Sequence, residues 1–316
     1  ATSKEEGNLV AFFGPDFKAT FDKQSGLLTS YLYKKHEYIL NGQGPRPFFW
    51  RAPTDNDYGA NLPVRLKAWK EASYQEPKAE SFQVTPGSNA TTIKVTYRFP
   101  QTDARWDITY KIYASGVIKV DNRFMAEGDQ APMIPRVGLR MQLPESFTDL
   151  TYYGRGPKEN YRDRRTSQFI GEYAIPVKNM YEPYVRPQEN NHRTDIYWCA
   201  FTDKTQRGLL LIADRTFELN ASNYPLESMD SSDTIDNGAP RTEKTHHRHL
   251  TDPLPEKMVD LFIDYRMMGV GGDDSWGATA HEPYLIRPGK ENAIEYGFTL
   301  VPFDKKEDYK YLIRQY

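Results

Sequence analysis

Four stretches of the chain gather residue types that could do chemistry. The first, Phe48-Phe49-Trp50-Arg51-Ala52-Pro53-Thr54-Asp55-Asn56-Asp57-Tyr58-Gly59, runs from an apolar strand end into a turn with two carboxylates, an amide and a glycine. Asp55, Asn56 and Asp57 suit side-chain bonds to their own backbone that fix such a turn. Together with Arg51 they also suit a loop bordering a ligand site, because binding loops sit on rigid scaffolds. The second stretch, Met267-Met268-Gly269-Val270-Gly271-Gly272-Asp273-Asp274-Ser275-Trp276-Gly277, places a tryptophan behind a glycine-rich turn. No lysine and no following helix accompany these glycines, which excludes a phosphate loop. Trp276 reads either as a corner packed under a sheet or as an open ring face for the C–H side of a hexose, galactose in particular. Spacing by itself favours the packed corner.

The third stretch, residues 153–164 with 180–190, mixes arginines, carboxylates, prolines and tyrosines. Such interleaving more often builds ion-pair networks that brace long loops than it builds a catalytic site. Its Glu-Asn pairs suggest carboxylates for glycoside cleavage, but sequence does not show the ~5 Å separation that a retaining mechanism needs. The fourth is the histidine group His246, His247 and His249, of which the last two would share one face of a strand. Zinc lacks a further ligand set with suitable spacing, and Arg248 between them points to a hydrogen-bonded structural strand.

The elements that must position these residues read as strands. Apolar and polar residues alternate in Phe17-Lys18-Ala19-Thr20-Phe21, Thr92-Ile93-Lys94-Val95-Thr96-Tyr97, Ile108-Thr109-Tyr110-Lys111-Ile112-Tyr113 and Val117-Ile118-Lys119-Val120, the period of a half-buried strand. Turn residues punctuate them at 23–26, 86–89, 114–116, 236–238 and 288–289. Helical periodicity is best over 62–71, where Leu62, Leu66 and Trp69 share a face. The 22 prolines and 21 glycines are dispersed and mark no linker. We therefore expect an all-β protein, one domain over 1–316, built as a large antiparallel β-sandwich.

Composition narrows the function classes. The 38% hydrophobic content and 14% aromatics are enough for a sizeable core, and a net charge of -2 gives no footprint for nucleic acid. No apolar run approaches the ~20 residues that span a bilayer. Cys199, the single cysteine, cannot form an internal disulfide, and the compartment stays open. The start has neither a signal pattern nor an initiator Met, which suggests a piece of a longer chain.

Taken together, the motifs resemble the C-terminal domain of the β-galactosidases of glycoside hydrolase family 2, carried on the small subunit in two-chain forms. The resemblance rests on Arg51-Ala52-Pro53-Thr54-Asp55-Asn56-Asp57-Tyr58-Gly59, Gly156-Pro157-Lys158-Glu159-Asn160-Tyr161 with Asp163-Arg164, Met180-Tyr181-Glu182-Pro183-Tyr184-Val185 with Gln188-Glu189-Asn190, His247-Arg248-His249-Leu250, and Gly269-Val270-Gly271-Gly272-Asp273-Asp274-Ser275-Trp276. It implies a supersandwich like that of galactose mutarotases. It also implies that Trp276 joins the galactose site, that Asp57 and Gly59 are active-site loop residues, and that Gly59 opens a mobile loop over 58–66 that closes over the active site. The family cleaves terminal β-D-galactosides such as lactose with retention, through two glutamates on a barrel domain assisted by Mg2+ and a monovalent cation. None of those groups matches a residue here. The resemblance thus implies a domain without catalytic residues, metal or cofactor of its own, inactive alone. Its partners would be a β-galactoside and the remaining domains or a large chain, with room for a homo-oligomer in the intact enzyme. A free-standing carbohydrate-binding module and a mutarotase-like epimerase are the alternatives.

Overall fold

The computed structural model describes residues 2–127, 133–232, 249–274, 276–287, 289 and 293–316. Among these, seventeen strands and four short helices follow in order. They are β1 (Thr2–Glu6), β2 (Leu9–Phe13), β3 (Phe17–Asp22), β4 (Leu28–Tyr33), β5 (His36–Glu37), β6 (Arg46–Phe48), α1 (Asp55–Gly59), α2 (Leu62–Arg65), α3 (Lys67–Tyr74), β7 (Ala79–Thr85) and β8 (Ala90–Phe99). Then come β9 (Ala104–Tyr113), β10 (Ile118–Ala126), β11 (Arg136–Pro144), β12 (Asp149–Gly156), β13 (Phe169–Pro176), β14 (Arg193–Thr202), β15 (Gly208–Ser222), β16 (Met258–Met267), β17 (Ile294–Phe303) and α4 (Tyr309–Leu312). The alternating segments named above fall in β3, β8, β9 and β10, and the turns at 23–26, 86–89 and 114–116 join them to their neighbours. The turn at 236–238 and Pro288 lie outside the described residues.

β1 to β5 form a five-stranded antiparallel meander, and the other strands form a twelve-stranded sheet. That sheet forks at β15. Its first half, residues 208–213, pairs with β17 and leads on through β10, β9, β8 and β7. Its second half, residues 218–222, pairs with β16, which continues through β11 to β6. The two branches enclose aromatic side chains between them: Phe49 lies 5.6 Å from Trp106 and Tyr265 lies 6.1 Å from Tyr296. The meander packs on the first branch, with Phe21 5.1 Å from Tyr110 and the Tyr31 hydroxyl donating to the Gly116 carbonyl. One buried apolar cluster runs through all three layers, from Phe12 to Phe298. The all-β antiparallel sandwich expected from the alternation is thus observed.

Two local expectations are corrected. The helix expected over 62–71 is broken at Leu66 into α2 and α3, and α1 precedes them. Leu62, Leu66 and Trp69 are nonetheless all buried, as one face requires. Residues 58–66, expected as a loop, instead run through the end of α1 and all of α2. Pro63 sits at the start of α2, where its missing N–H and fixed φ do no harm, and Leu62 and Leu66 draw the segment into the core.

Candidate functional site

The site begins with α1. Thr54 caps it: its hydroxyl accepts from the Asp57 backbone N–H at 3.1 Å while the Asp57 carboxylate accepts from the Thr54 N–H at 3.0 Å. Asp57 thus bonds to nearby backbone, as the turn reading had it. The carboxylate also takes Arg51 in a two-pronged pair, Nε to Oδ2 at 2.9 Å and Nη2 to Oδ1 at 2.8 Å. Burial by itself would lower the affinity of this guanidinium for its proton. The charge and hydrogen bonds of Asp57 more than offset that, and the Arg51 pKa lies above its ordinary value.

The remaining donors of Arg51 reach a different part of the chain. They meet the Met268 carbonyl at 2.5 Å and the Gly269 carbonyl at 3.1 Å, where the glycine-rich stretch begins. From the third stretch, Asp163 accepts from the Val270 N–H at 3.1 Å and the Gly271 N–H at 2.7 Å. From the first, the Asn56 amide donates to the Asp274 carbonyl at 3.1 Å. Asp274 then folds the tip, accepting from the Trp276 N–H at 2.8 Å and the Ala278 N–H at 3.1 Å, which hold its carboxyl below the usual range. Gly59 lies against this tip so closely that an added Cβ would meet the Trp276 carbonyl oxygen at 2.4 Å. Two stretches far from it in sequence, the first and the third, therefore converge on this loop.

The product of this bracing is an aromatic ring held in the open. Trp276 is 86% exposed, whereas Trp50, Trp69, Trp106 and Trp198 are buried. The packed-corner reading favoured by spacing is corrected, because the loop's own backbone occupies the contact with Gly59 and leaves the indole outside.

Beside the loop is a cleft of about 440 Å3, lined by Asn56, Arg164, Tyr184, Gln188, Glu189 and Val270 among others. The carboxylates that line it, Asp55 and Glu189, are engaged, and so is Glu159 beneath its Arg164 and Tyr184. Glu159 accepts from Arg164 at 2.7 Å, from the Tyr184 hydroxyl and from the Asn191 N–H at 2.7 Å. Glu189 is buried and accepts from Asn220 at 2.8 Å, and Asp55 pairs with Arg186 at 3.2 Å. The third stretch is thus an ion-pair brace, as its composition suggests, and each glutamate of its Glu-Asn pairs is committed to protein donors.

One constellation was not legible in the sequence. His192 lies fully buried between Asn220 (Nδ1, 2.7 Å) and Glu218 (Nε2, 3.0 Å), with Tyr161 stacked on its ring. Burial would lower the His192 pKa, but the hydrogen bond and charge of Glu218 raise it above 6.5. Burial would raise that of Glu218, and His192 with Arg162 brings it below 4.5. Nearby, burial pushes the Asp264 carboxyl up to about 7 despite Arg136. This His-Glu pair is closed to solvent, so no sugar reaches it. Of the histidine group, His246 and His247 lie outside the described residues, and the exposed His249 donates its backbone N–H to Asp252. Among the described residues no group of three or more His, Cys, Asp or Glu could hold a metal ion.

Fold and site together define a large antiparallel β-sandwich that presents one braced, exposed aromatic ring. The family model of the beta galactosidase small chain matches residues 13–300, and the chain belongs to that family. A β-galactosidase of Priestia megaterium is 34% identical over 285 residues, which are 90% of this chain and 26% of that protein. The chain therefore spans about a quarter of the length of the curated relatives it matches. Among solved structures, a TPR-domain containing protein from Parabacteroides distasonis shares the fold at TM-score 0.50 and 12% identity, over 95% of this chain and 48% of that one. A putative aldose 1-epimerase of Escherichia coli K12 aligns at TM-score 0.47 and 10% identity, over 93% and 98% of the two chains.

Proposed function

We propose that this chain forms one wall of the galactoside site in a retaining β-galactosidase that acts on terminal β-D-galactosides such as lactose. In this reading Trp276 is the sugar platform, Asp57 and Gly59 set its position, and the catalytic carboxylates lie on other domains or on a large-chain partner. The observation that carries it is the exposed Trp276 ring on a loop braced by Arg51, Asp163 and Asn56. Side chains that touch a ligand work best when packing and hydrogen bonds already fix their place.

A retaining hydrolase needs two carboxyl groups ~5–5.5 Å apart, one free to act as acid and base. The carboxylates beside the Trp276 loop are bound by cations and amides instead, which supports a non-catalytic wall. The family's Mg2+ and monovalent cation belong, in this reading, to the barrel domain. A stacked ring alone contributes roughly 0.5–1.5 kcal/mol, so the isolated chain should bind sugar weakly.

The test is hydrolysis of lactose or a nitrophenyl galactoside by the pure chain, alone and mixed with the barrel-bearing part of the enzyme. The chain alone should match a blank, and Trp276→Ala should raise KM or lower kcat of the mixture. Hydrolysis by the pure chain overturns the reading. Polarimetry on α-galactose, expected to show only the uncatalysed rate, addresses the epimerase alternative, which the burial of His192 and Glu218 disfavours.

A further inference from the structure

A second cleft, of about 360 Å3, opens where β6 and α3 meet β11 and the start of β16, and shares no lining residue with the Trp276 loop. Its volume lies within the ~300–1,000 Å3 typical of small-molecule sites. What distinguishes it from the cleft beside Trp276 is free hydrogen-bonding capacity. Among the described residues, no protein group bonds the side chains of Gln43, Gln142 or Glu256, although their backbones are paired at Gln142 N to Gln43 O and Glu256 N to Asn223 O. Arg46 is anchored through Nη2 to the Ser73 carbonyl at 2.7 Å and the Gln75 carbonyl at 3.0 Å, which leaves its other guanidinium edge to the cleft.

These four groups have a common geometry. Each is planar and carries two polar atoms side by side, the arrangement that meets adjacent hydroxyls of a sugar ring with two parallel hydrogen bonds. They include donors (Arg46), acceptors (Glu256) and both at once (Gln43, Gln142). One wall is the ring of Tyr74, 37% exposed and fixed edge-on against Phe48 at 5.4 Å. An aromatic wall beside planar polar groups suits the apolar C–H face of a pyranose.

Charge selects among hydroxyl-rich ligands. Arg140 is already matched by Asp260 and Glu227, each in a two-pronged pair. That leaves Arg46 against Glu256, so an acidic ligand would face Glu227 and Glu256 with one available cation. We propose that this cleft is a second saccharide-binding site, selective for neutral sugars, which tethers a glycan away from the Trp276 platform.

The experiment titrates the 316-residue chain with lactose and, separately, with sodium glucuronate, followed by ligand-observed NMR. It is done on the Trp276→Ala background so that the platform is removed. Lactose should still bind, in the millimolar range expected of a shallow polar site. Gln43→Ala with Gln142→Ala should weaken that binding at least tenfold without moving Tm, and Glu256→Lys, on the rim, should do the same. Glucuronate should bind more weakly than lactose. Absence of lactose binding in Trp276→Ala, indifference to all three substitutions, or a preference for glucuronate would each overturn the proposal. If Trp276→Ala changes nothing while the glutamine variants abolish binding, the platform reading fails and this site stands.

Discussion

Replacing Gly59 by alanine tests the close packing on which the Trp276 loop depends. The new Cβ would sit 2.4 Å from the Trp276 carbonyl oxygen, 2.7 Å from its carbonyl carbon and 2.8 Å from the Gly277 Cα. Ordinary contact begins at 3.4 Å, so about 1 Å of movement is needed. All three neighbours are backbone, which cannot swing aside as a flexible side chain does. The loop is held by Asn56, Asp163 and Arg51, and α1 is held by its capping box, so neither side moves freely. Overpacking of this kind costs roughly 1–3 kcal/mol. With an unfolding entropy of ~2.1 cal/mol/K per residue, each kcal/mol lowers the Tm of this 316-residue chain by ~1.5 °C, which places the expected loss at about 1.5–4.5 °C. Iodide quenching provides the local readout, because Trp276 is the exposed indole and the other four are buried. Gly59→Ala should change the quenching constant of the accessible fraction, and Trp276→Phe should abolish that fraction. A Gly59→Ala chain with unchanged Tm and unchanged quenching would refute the close-packing account.

Arg51→Ala leaves the buried Asp57 carboxylate without its cation and frees two carbonyls, and should cost about 3–5 kcal/mol in urea unfolding. Arg51→Lys should not restore it, because an ammonium cannot reproduce the two-pronged geometry. Asp163→Ala removes two backbone bonds from a partly exposed carboxylate and should cost roughly 1–3 kcal/mol, with faster deuterium uptake at residues 269–272 than elsewhere. For pH, His192 is held above 6.5 and Glu218 below 4.5, so the stability of their pair is full between those values. It is lost as pH rises through the folded value of His192, or falls through that of Glu218. The cost of ionising Asp264 accrues from 3.8 upward and is complete above about 7. The urea midpoint should therefore decline from about pH 5 to about pH 7, and further as pH rises through the folded value of His192. His192→Gln should flatten part of that slope, and a level profile in the unmodified chain would contradict the assignment.

Much of this molecule could be read from order along the chain. Alternation located β3, β8, β9 and β10 because a strand turns successive side chains to opposite faces, a rule that operates between neighbours. The same locality put Leu62, Leu66 and Trp69 on one buried face, although the break at Leu66 was not visible: both sides of the break present the same face to the core. The glycine-rich turn and the family's motifs were likewise legible, since they are short and contiguous. The exposure of Trp276 was not. Nor was the pairing of Arg51 with a carbonyl 217 residues away, the Asp163 bonds to Val270 and Gly271, or the meeting of His192 with Glu218. Periodicity specifies which face a residue occupies, but not which distant strand lies opposite that face. That partner is set by sheet order, here by the fork of β15, and burial then fixes the outcome. A polar group removed from water must find whatever donor or acceptor the fold brings near it, so the chemistry of these residues was decided only when the layers closed.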